Sequence, residues 1–140
     1  MPFPQTPALT TDCVVFDARR RVMLIRRGRP PFKGRYALPG GFVDVGEAVE
    51  DACRRELLEE TGIRVRRLQL VGVYSAPGRD PRGHTCSVAF LARVGAADPK
   101  AGDDAAAAEW VADWSKLQLA FDHATILRDA ARLLRRRPRR

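Results

Sequence analysis

The chain has 140 residues, 45% of them hydrophobic and 30% charged, which is the size and make-up of one compact domain spanning 1–140 and leaves no room for a second. A domain of this length buries enough apolar surface to be stable without disulfides. The formal charge of +8 invites a nucleic-acid partner, but Arg132, Arg135, Arg136, Arg137, Arg139 and Arg140 crowd the last nine positions; the rest of the chain is near balance, the basic run over 135–140 reads as a solvated tail, and nucleic acid is not the expected partner.

Three prolines within Met1 to Pro7 predict an extended lead-in over 1–7. No basic stretch followed by an apolar one occurs there, and no segment approaches the roughly 20 apolar residues of a membrane span, so the expected location is cytoplasmic. Ala8 to Phe16 and Val22 to Ile25 are β-rich runs around a turn-like Asp17 to Arg21, a hairpin pattern. Arg26 to Gly34 is a loop, and Tyr36 to Leu38 a short strand stopped by Pro39. Gly40, Gly41 and a short apolar stretch lead into a helix from about Ala48 to Thr61, closed by Gly62 as a left-handed cap.

Leu68 to Tyr74 and Cys86 to Val94 follow as long strands, separated by the Pro-, Gly- and charge-rich loop Ser75 to His84. Glu109 to Val111 is a last strand after the Gly102, Asp103, Asp104 turn, and Phe121 to Arg137 repeats Ala124, Leu127, Ala131 and Leu134 near helical spacing. Cys13, Cys53 and Cys86 are far apart, lack a CxxC pairing and lie within these elements, so they read as reduced core residues. Mixed strands with two well-separated helices give an α/β class, a sheet sandwiched between helices.

The first helix carries the chemistry. At helical spacing Val49, Ala52 and Cys53 form an apolar stripe, and Glu56, Glu59 and Glu60 fall on its continuation. Carboxylates three and four residues apart repel one another, and turning them inward adds a desolvation cost. A positive partner must offset this, and oxygen ligands of this kind suit Mg²⁺ or Mn²⁺. The plain alternative is a solvated, charged helix face. The surroundings weigh against it: Gly40 and Gly41, before the helix, let backbone approach a ligand closely, Glu47 sits at the loop-to-helix junction, and Arg55, beside Glu56, can orient a carboxylate through its rigid fork of donors.

Gly41, Glu47, Arg55, Glu56, Leu57, Glu59, Glu60, Gly62 and Ile63 occupy every fixed position of the pattern G-x5-E-x7-R-E-U-x-E-E-x-G-U, where U is a bulky aliphatic. In this the chain resembles the Nudix hydrolases, and Ala8 to about Leu117 follows that family's order of elements. The resemblance implies an α/β/α sandwich with a mixed sheet between the box helix and the C-terminal helix. It implies hydrolysis of the pyrophosphate bond of a nucleoside diphosphate linked to another group, with Glu56, Glu59 and Glu60 holding magnesium or manganese. Glu47 would support that metal site, Arg55 would fix Glu56 by a salt bridge, and Glu56 or a glutamate outside the box would take a proton from water. Many relatives carry a further glutamate about three positions before an aromatic such as Trp110. Here that position is Ala107, with Asp103, Asp104 and Glu109 as nearby candidates.

The substrate must be read outside the box. Pro77 lies fifteen residues after Gly62, and Gly78 to His84 resembles the loop of ADP-ribose pyrophosphatases. That loop could bring Arg79 or Arg82 to a phosphate and Tyr74 to a base or ribose, with Arg26, Arg27 and Arg35 bordering the pocket. The other reading of the loop is a hairpin whose Pro and Gly merely make the turn. His84 is read as a strand-edge residue. ADP-ribose, cleaved to AMP and ribose 5-phosphate, is the first substrate expected. Nucleoside triphosphates and NDP-sugars are rivals within the class, and a non-catalytic nucleotide-binding regulator is the rival outside it. A homodimer is implied by the resemblance alone.

Overall fold

A computed structural model describes residues 3–95 and 105–136. Its elements are β1 (Ala8–Phe16), β2 (Val22–Arg27), β3 (Tyr36–Ala37), β4 (Gly40–Phe42), α1 (Val49–Thr61), β5 (Gln69–Tyr74), β6 (Thr85–Arg93), β7 (Ala105–Val111), a 3-10 turn at Trp114–Lys116, and α2 (His123–Arg135).

The run Cys13 to Phe16 explains the layering. Side chains alternate across a strand, so Val14 and Phe16 enter one core while Cys13 and Val15 enter another. The first core closes under Ile126, Leu127, Ala130 and Ala131 of α2, the second under Cys53 and Leu57 of α1. A strand covered on both faces is apolar at every position, which is why this segment lacks polar alternation. The α/β/α sandwich is therefore as expected. Leu127 is fully buried in the α2 core, so Leu127→Ala should cost about 2–5 kcal/mol in chemical denaturation; a cost below about 1 kcal/mol would mean that α2 is not a structural layer.

The sheet is mixed. β1 runs parallel to β6 along its whole length, from Ala8↔Thr85 to Phe16↔Arg93. Its other edge is shared: Thr10, Thr11 and Asp12 pair antiparallel with β4, and Phe16 pairs with Val22 of β2. β1 and β2 thus form the expected antiparallel hairpin, but β2 diverges to pair with β3 and β7. This divergence opens the edge of β1 into which the glycine strand β4 fits.

Several boundaries shift. Gly40–Phe42, read from sequence as glycines and a short apolar stretch, is a strand. β7 begins at Ala105 rather than Glu109, because a run of alanines carries little strand signal. α2 begins at His123, since Phe121 has a left-handed φ of 53° and cannot be helical. Gly62 closes α1 at φ 74°, its N–H bonding to the Leu58 carbonyl, as the sequence implied. The cysteines are free thiols, Cys13 and Cys53 buried and Cys86 partly so. Asp103, Asp104 and the end of the arginine tail lie outside the described residues. Among the described residues no helix is long and apolar enough to cross a membrane.

Candidate active site

α1 places its acids by simple periodicity. Glu60 follows Cys53 by seven residues and so occupies the same inward face, and it is buried with 8% of its surface exposed. Its Oε1 accepts the Gly40 N–H at 3.3 Å, while its buried Oε2 has no hydrogen-bond partner. Burial, reinforced by the neighbouring Glu56, pushes the Glu60 carboxyl up to about 9. Burial also raises Glu56, whose side chain is 16% exposed, though Arg55 opposes the shift.

The glycines make this proximity possible. A Cβ on Gly41 would stand 2.6 Å from the Glu56 carboxyl carbon, and one on Gly40 would stand 2.2 Å from the Thr11 carbonyl oxygen. Strand β4 can lie between β1 and the acids of α1 only if both positions lack a side chain.

Arg55 is the clamp. Nε and Nη2 grip both oxygens of Glu47 at 2.8 and 2.9 Å, and Nη1 donates to Glu56 Oε1 at 2.9 Å. Nη2 also donates to the Phe42 carbonyl at 3.1 Å, joining the helix to β4. The hydrogen bonds from Arg55 hold the Glu47 carboxyl down at about 2. Glu47 is thus a counter-anchor for Arg55, and with both oxygens so engaged it bears on the acid site through Arg55 rather than as a free ligand.

Glu59 departs from the inward stripe. It lies about 100° around the helix from Glu60, is 58% exposed, and leans 3.4 Å from Arg55 Nη1. Repulsion from the other acids and attraction to Arg55 both draw it outward. Among the described residues no three His, Cys, Asp or Glu side chains enclose a common point; two acids converge and the third flanks them.

Beside Gly40 and Gly41 opens a cavity of about 80 Å³ whose wall includes Arg27, Phe42, Arg82 and Phe121. Arg82 sets its width. The guanidinium sits 5.8 Å from the ring centre of Phe42 and 5.7 Å from that of Phe121, held by Asp80 at 2.8 Å. Phe121 is aimed by its left-handed backbone and braced edge-on by Phe32 at 4.9 Å.

The cavity floor is a buried polar network. Asp12 takes the Ser87 hydroxyl at 2.6 Å and faces His123 Nε2 at 3.3 Å and Arg79 Nη2 at 3.7 Å. Burial alone would raise the Asp12 carboxyl, but His123, Ser87 and Arg79 outweigh it and hold it below its usual value. His123 Nδ1 accepts the Leu38 N–H at 3.0 Å, which leaves Nε2 to carry the proton toward Asp12. This network ties β1, β6, α2 and the segment before β4 into one rigid support.

Over residues 6–134 the chain matches the NUDIX domain. The chain belongs to the Nudix hydrolase family. It is 48% identical over 127 residues to a protein named ADP-ribose pyrophosphatase from Methanocaldococcus jannaschii, covering 90% of this chain and 74% of that one. It is 35% identical to an ADPR responsive transcriptional repressor, NtrR, of Acinetobacter baylyi, covering 89% of this chain and 53% of the repressor. Among solved structures, the NUDIX domain of Shewanella oneidensis NrtR complexed with ADP ribose superposes with a TM-score of 0.87 at 28% identity, covering 93% and 90% of the two chains. A MutT/nudix family protein from Enterococcus faecalis superposes with the same TM-score at 32% identity, covering 96% of this chain and 64% of that one.

The Nudix box thus brings Glu56, Glu60, Arg55 and Gly41 together, with Gly40 just before it, but several residues outside it stand elsewhere. Ile25 and Arg27 line the cavity, so Arg26, between them on β2, faces away and stacks 4.5 Å over Tyr36. Arg35 lies over Phe32 rather than in the cavity wall. Tyr74 donates its hydroxyl to Asp129 of α2 at 2.7 Å and packs into the α2 core, away from any base or ribose position beside the glycines. Arg79 does line the cavity, yet it is 5% exposed and its donors are spent on Asp122, at 2.9 and 2.7 Å, and on Thr85 at 2.7 Å. It supports the floor instead of offering a free charge. Glu109 is exposed and accepts the Tyr36 hydroxyl, and Ala107 pairs with Arg26 at the edge of β2. Arg26→Ala is accordingly expected to leave KM within about twofold in steady-state kinetics, as for a surface residue away from the site; a tenfold rise would place it in the pocket.

Sequence reasoning missed Asp12, Ser87, His123, Phe42 and Phe121. Asp12 alone carried a signal: an acid inside an apolar strand must find buried partners.

Proposed function

We propose that this Nudix chain hydrolyses the pyrophosphate linkage of ADP-ribose to AMP and ribose 5-phosphate, using magnesium or manganese. The observation that carries the reading is the pairing of Glu56 and Glu60 beneath Gly40 and Gly41, glycines that line a cavity walled by three arginines and two aromatic rings. The 48% identity to a protein named ADP-ribose pyrophosphatase and the ADP ribose held by the NrtR domain support the choice of substrate.

The acids fit a divalent cation: Glu60 presents a buried carboxylate oxygen with no other partner, and Glu56 crowds it despite the cost of bringing two such groups together. Glu56 and Glu60, with Glu59 at the rim, would hold the ion. When bound, it polarises phosphoryl oxygens and makes water more acidic. Arg55 fixes Glu56 through Oε1, leaving Oε2 to accept the proton of the attacking water. The water oxygen bonds to one phosphorus as that atom's bond to the bridging oxygen breaks. The side-chain-free backbone of Gly40 and Gly41 leaves room for the diphosphate.

A drug-sized ligand needs about 300 Å³ or more, so Arg82 must leave the space between Phe42 and Phe121. Its pair with the buried Asp80 opposes this, and Asp80 keeps the Arg82 backbone N–H at 2.9 Å when the guanidinium leaves. The freed guanidinium then meets the diphosphate and the rings meet the adenine face. Arg82→Ala should raise KM for ADP-ribose about 10- to 100-fold, the worth of a hydrogen bond to a charged group, with kcat little changed; an unaltered KM would remove Arg82 from the binding site.

The substrate test is a panel of ADP-ribose, NADH, diadenosine polyphosphates, NDP-sugars and nucleoside triphosphates with Mg²⁺ or Mn²⁺, products resolved by chromatography. ADP-ribose should give the highest kcat/KM and equimolar AMP and ribose 5-phosphate. Preference for a triphosphate would overturn the substrate and leave the class. The similarity to the repressor favours one other reading, a sensor that binds ADP-ribose without cutting it; tight binding with no AMP released would select it.

A further inference from the structure

A second concavity, of about 740 Å³, lies between the segment after α1 and the end of β6. Four arginines, Arg64, Arg66, Arg67 and Arg93, line it, and among the described residues no acidic one does. Several arginines elsewhere are matched with a carboxylate: Arg21 with Asp17, Arg54 with Asp51, Arg79 with Asp122, Arg82 with Asp80. Among the described residues, Arg64, Arg66 and Arg67 have no such side-chain partner, and Arg93 meets only the neutral Gln69 amide at 3.4 Å.

Four like charges around one hollow repel one another, a cost that an anion would relieve. The hollow is also built. Arg54, reaching across from α1, donates from Nε and Nη2 to the Arg66 carbonyl at 3.3 and 2.8 Å and fixes the arginine segment against the helix. Val65, Leu68 and Val94 pack against the α1 core and give the hollow an apolar floor.

Its place in the fold separates it from the acid site. β4 meets β1 at Thr10 to Asp12, whereas the β6 lining of the hollow starts at Leu91, which pairs with Val14, and no residue lines both cavities. The guanidinium of Arg93 belongs to the residue paired with Phe16, four residue steps or roughly 13 Å along β1 from Asp12. The volume falls in the range of small-molecule sites, and a bounded hollow with an apolar floor suits a compact ligand better than an extended strand of nucleic acid.

We propose that this arginine-lined hollow is a second binding site, distinct from the hydrolytic centre, for a small oligophosphate: inorganic tripolyphosphate or the phosphate chain of a nucleotide. Guanidinium forks bind phosphate oxygens in pairs, and the apolar floor accommodates whatever planar group the phosphates carry.

The test is an amide-resolved NMR titration of the full chain with inorganic tripolyphosphate, and separately with ADP, at physiological ionic strength in the presence of a metal chelator. Shifts should concentrate on the backbone of 64–69 and 93–95. The double variant Arg64→Gln/Arg67→Gln should weaken tripolyphosphate binding there at least tenfold, while ADP-ribose hydrolysis measured without tripolyphosphate stays unchanged. Arg66→Gln/Arg93→Gln, which alters different parts of the rim, should weaken it comparably. Added shifts at Val65 and Leu68 with ADP would identify a nucleotide as the source of the phosphates, and their absence an inorganic one. Shifts confined to Arg27, Gly40, Gly41 and Arg82 would overturn the proposal. So would an equal loss of affinity in Arg135→Gln/Arg136→Gln, since that pair lies outside the hollow and would register only diffuse charge.

Discussion

Glu60→Gln is expected to slow ADP-ribose hydrolysis by about 10²–10⁴-fold, the worth of the several kcal/mol of charge stabilisation that a bound metal supplies, and at the same time to make the metal-free protein harder to melt. Glutamine can still accept the Gly40 N–H through its carbonyl oxygen, and its amide can donate toward Glu56, so the packing of α1 against β4 survives. What disappears is a carboxyl that burial disfavours as an anion. The Glu60 carboxyl is raised from 4.5 to about 9 in the folded chain. Between those values the unfolded chain has released the proton and the folded chain keeps it, so the stability tied to this group is full below about 4.5 and is lost as pH rises through about 9. The melting temperature of the variant should therefore exceed that of the wild type by a margin that widens from about pH 5 to about pH 9, measured in chelator. Parallel pH profiles would mean that Glu60 is not the desolvated acid described above. A variant both less active and less stable at every pH would point to a packing role instead.

The two glycines of β4 give the second large effect, and they should fail differently. In Gly41→Ala the new methyl stands 2.6 Å from the carboxyl carbon of Glu56. That carboxylate ends a flexible side chain and can swing aside, so the fold should hold while Glu56 leaves Arg55. Displacement of a catalytic group by about 1 Å can cost 10²-fold, and kcat should fall by about that factor with little change in melting temperature. In Gly40→Ala the methyl meets the Thr11 carbonyl oxygen at 2.2 Å, and this backbone atom is held by the sheet. Destabilisation at or beyond about 3 kcal/mol is expected, the upper end for an overpacked site. Circular dichroism melts beside steady-state rates separate the outcomes. A Gly41→Ala enzyme of full activity would show that Glu56 need not occupy its place under the glycine.

The parts legible in the sequence are those set by local periodicity. The helix of Glu56, Glu59 and Glu60, its Gly62 cap and the apolar runs of β1 and β6 each follow from spacing within one element. Glu60 turned inward because Cys53 seven residues earlier does so, and Glu59 did not because it sits beside Arg55 on the flank. The pocket required information from different elements. Parity on β2 decides that Arg27, and not Arg26, reaches the cavity, and parity depends on a register no single strand declares. Arg79 looked like a phosphate ligand until Asp122, forty-three residues away, took its donors. Tyr74 was claimed in the same way by Asp129. The Asp12, Ser87 and His123 network joins three elements and has no local pattern at all, although a buried aspartate in a strand announces that partners exist. Phe121 reaches the cavity through a left-handed backbone that its residue type disguises.

Manganese binding, followed by electron paramagnetic resonance on the wild type, Glu56→Gln and Glu59→Gln, tests the acid site most directly. Wild-type protein should quench the signal of free Mn²⁺ at a stoichiometry of at least one, and Glu56→Gln should release the ion while retaining the wild-type fold. Glu59→Gln should weaken binding less, in keeping with its place at the rim. Equal Mn²⁺ affinity in all three proteins would contradict the account.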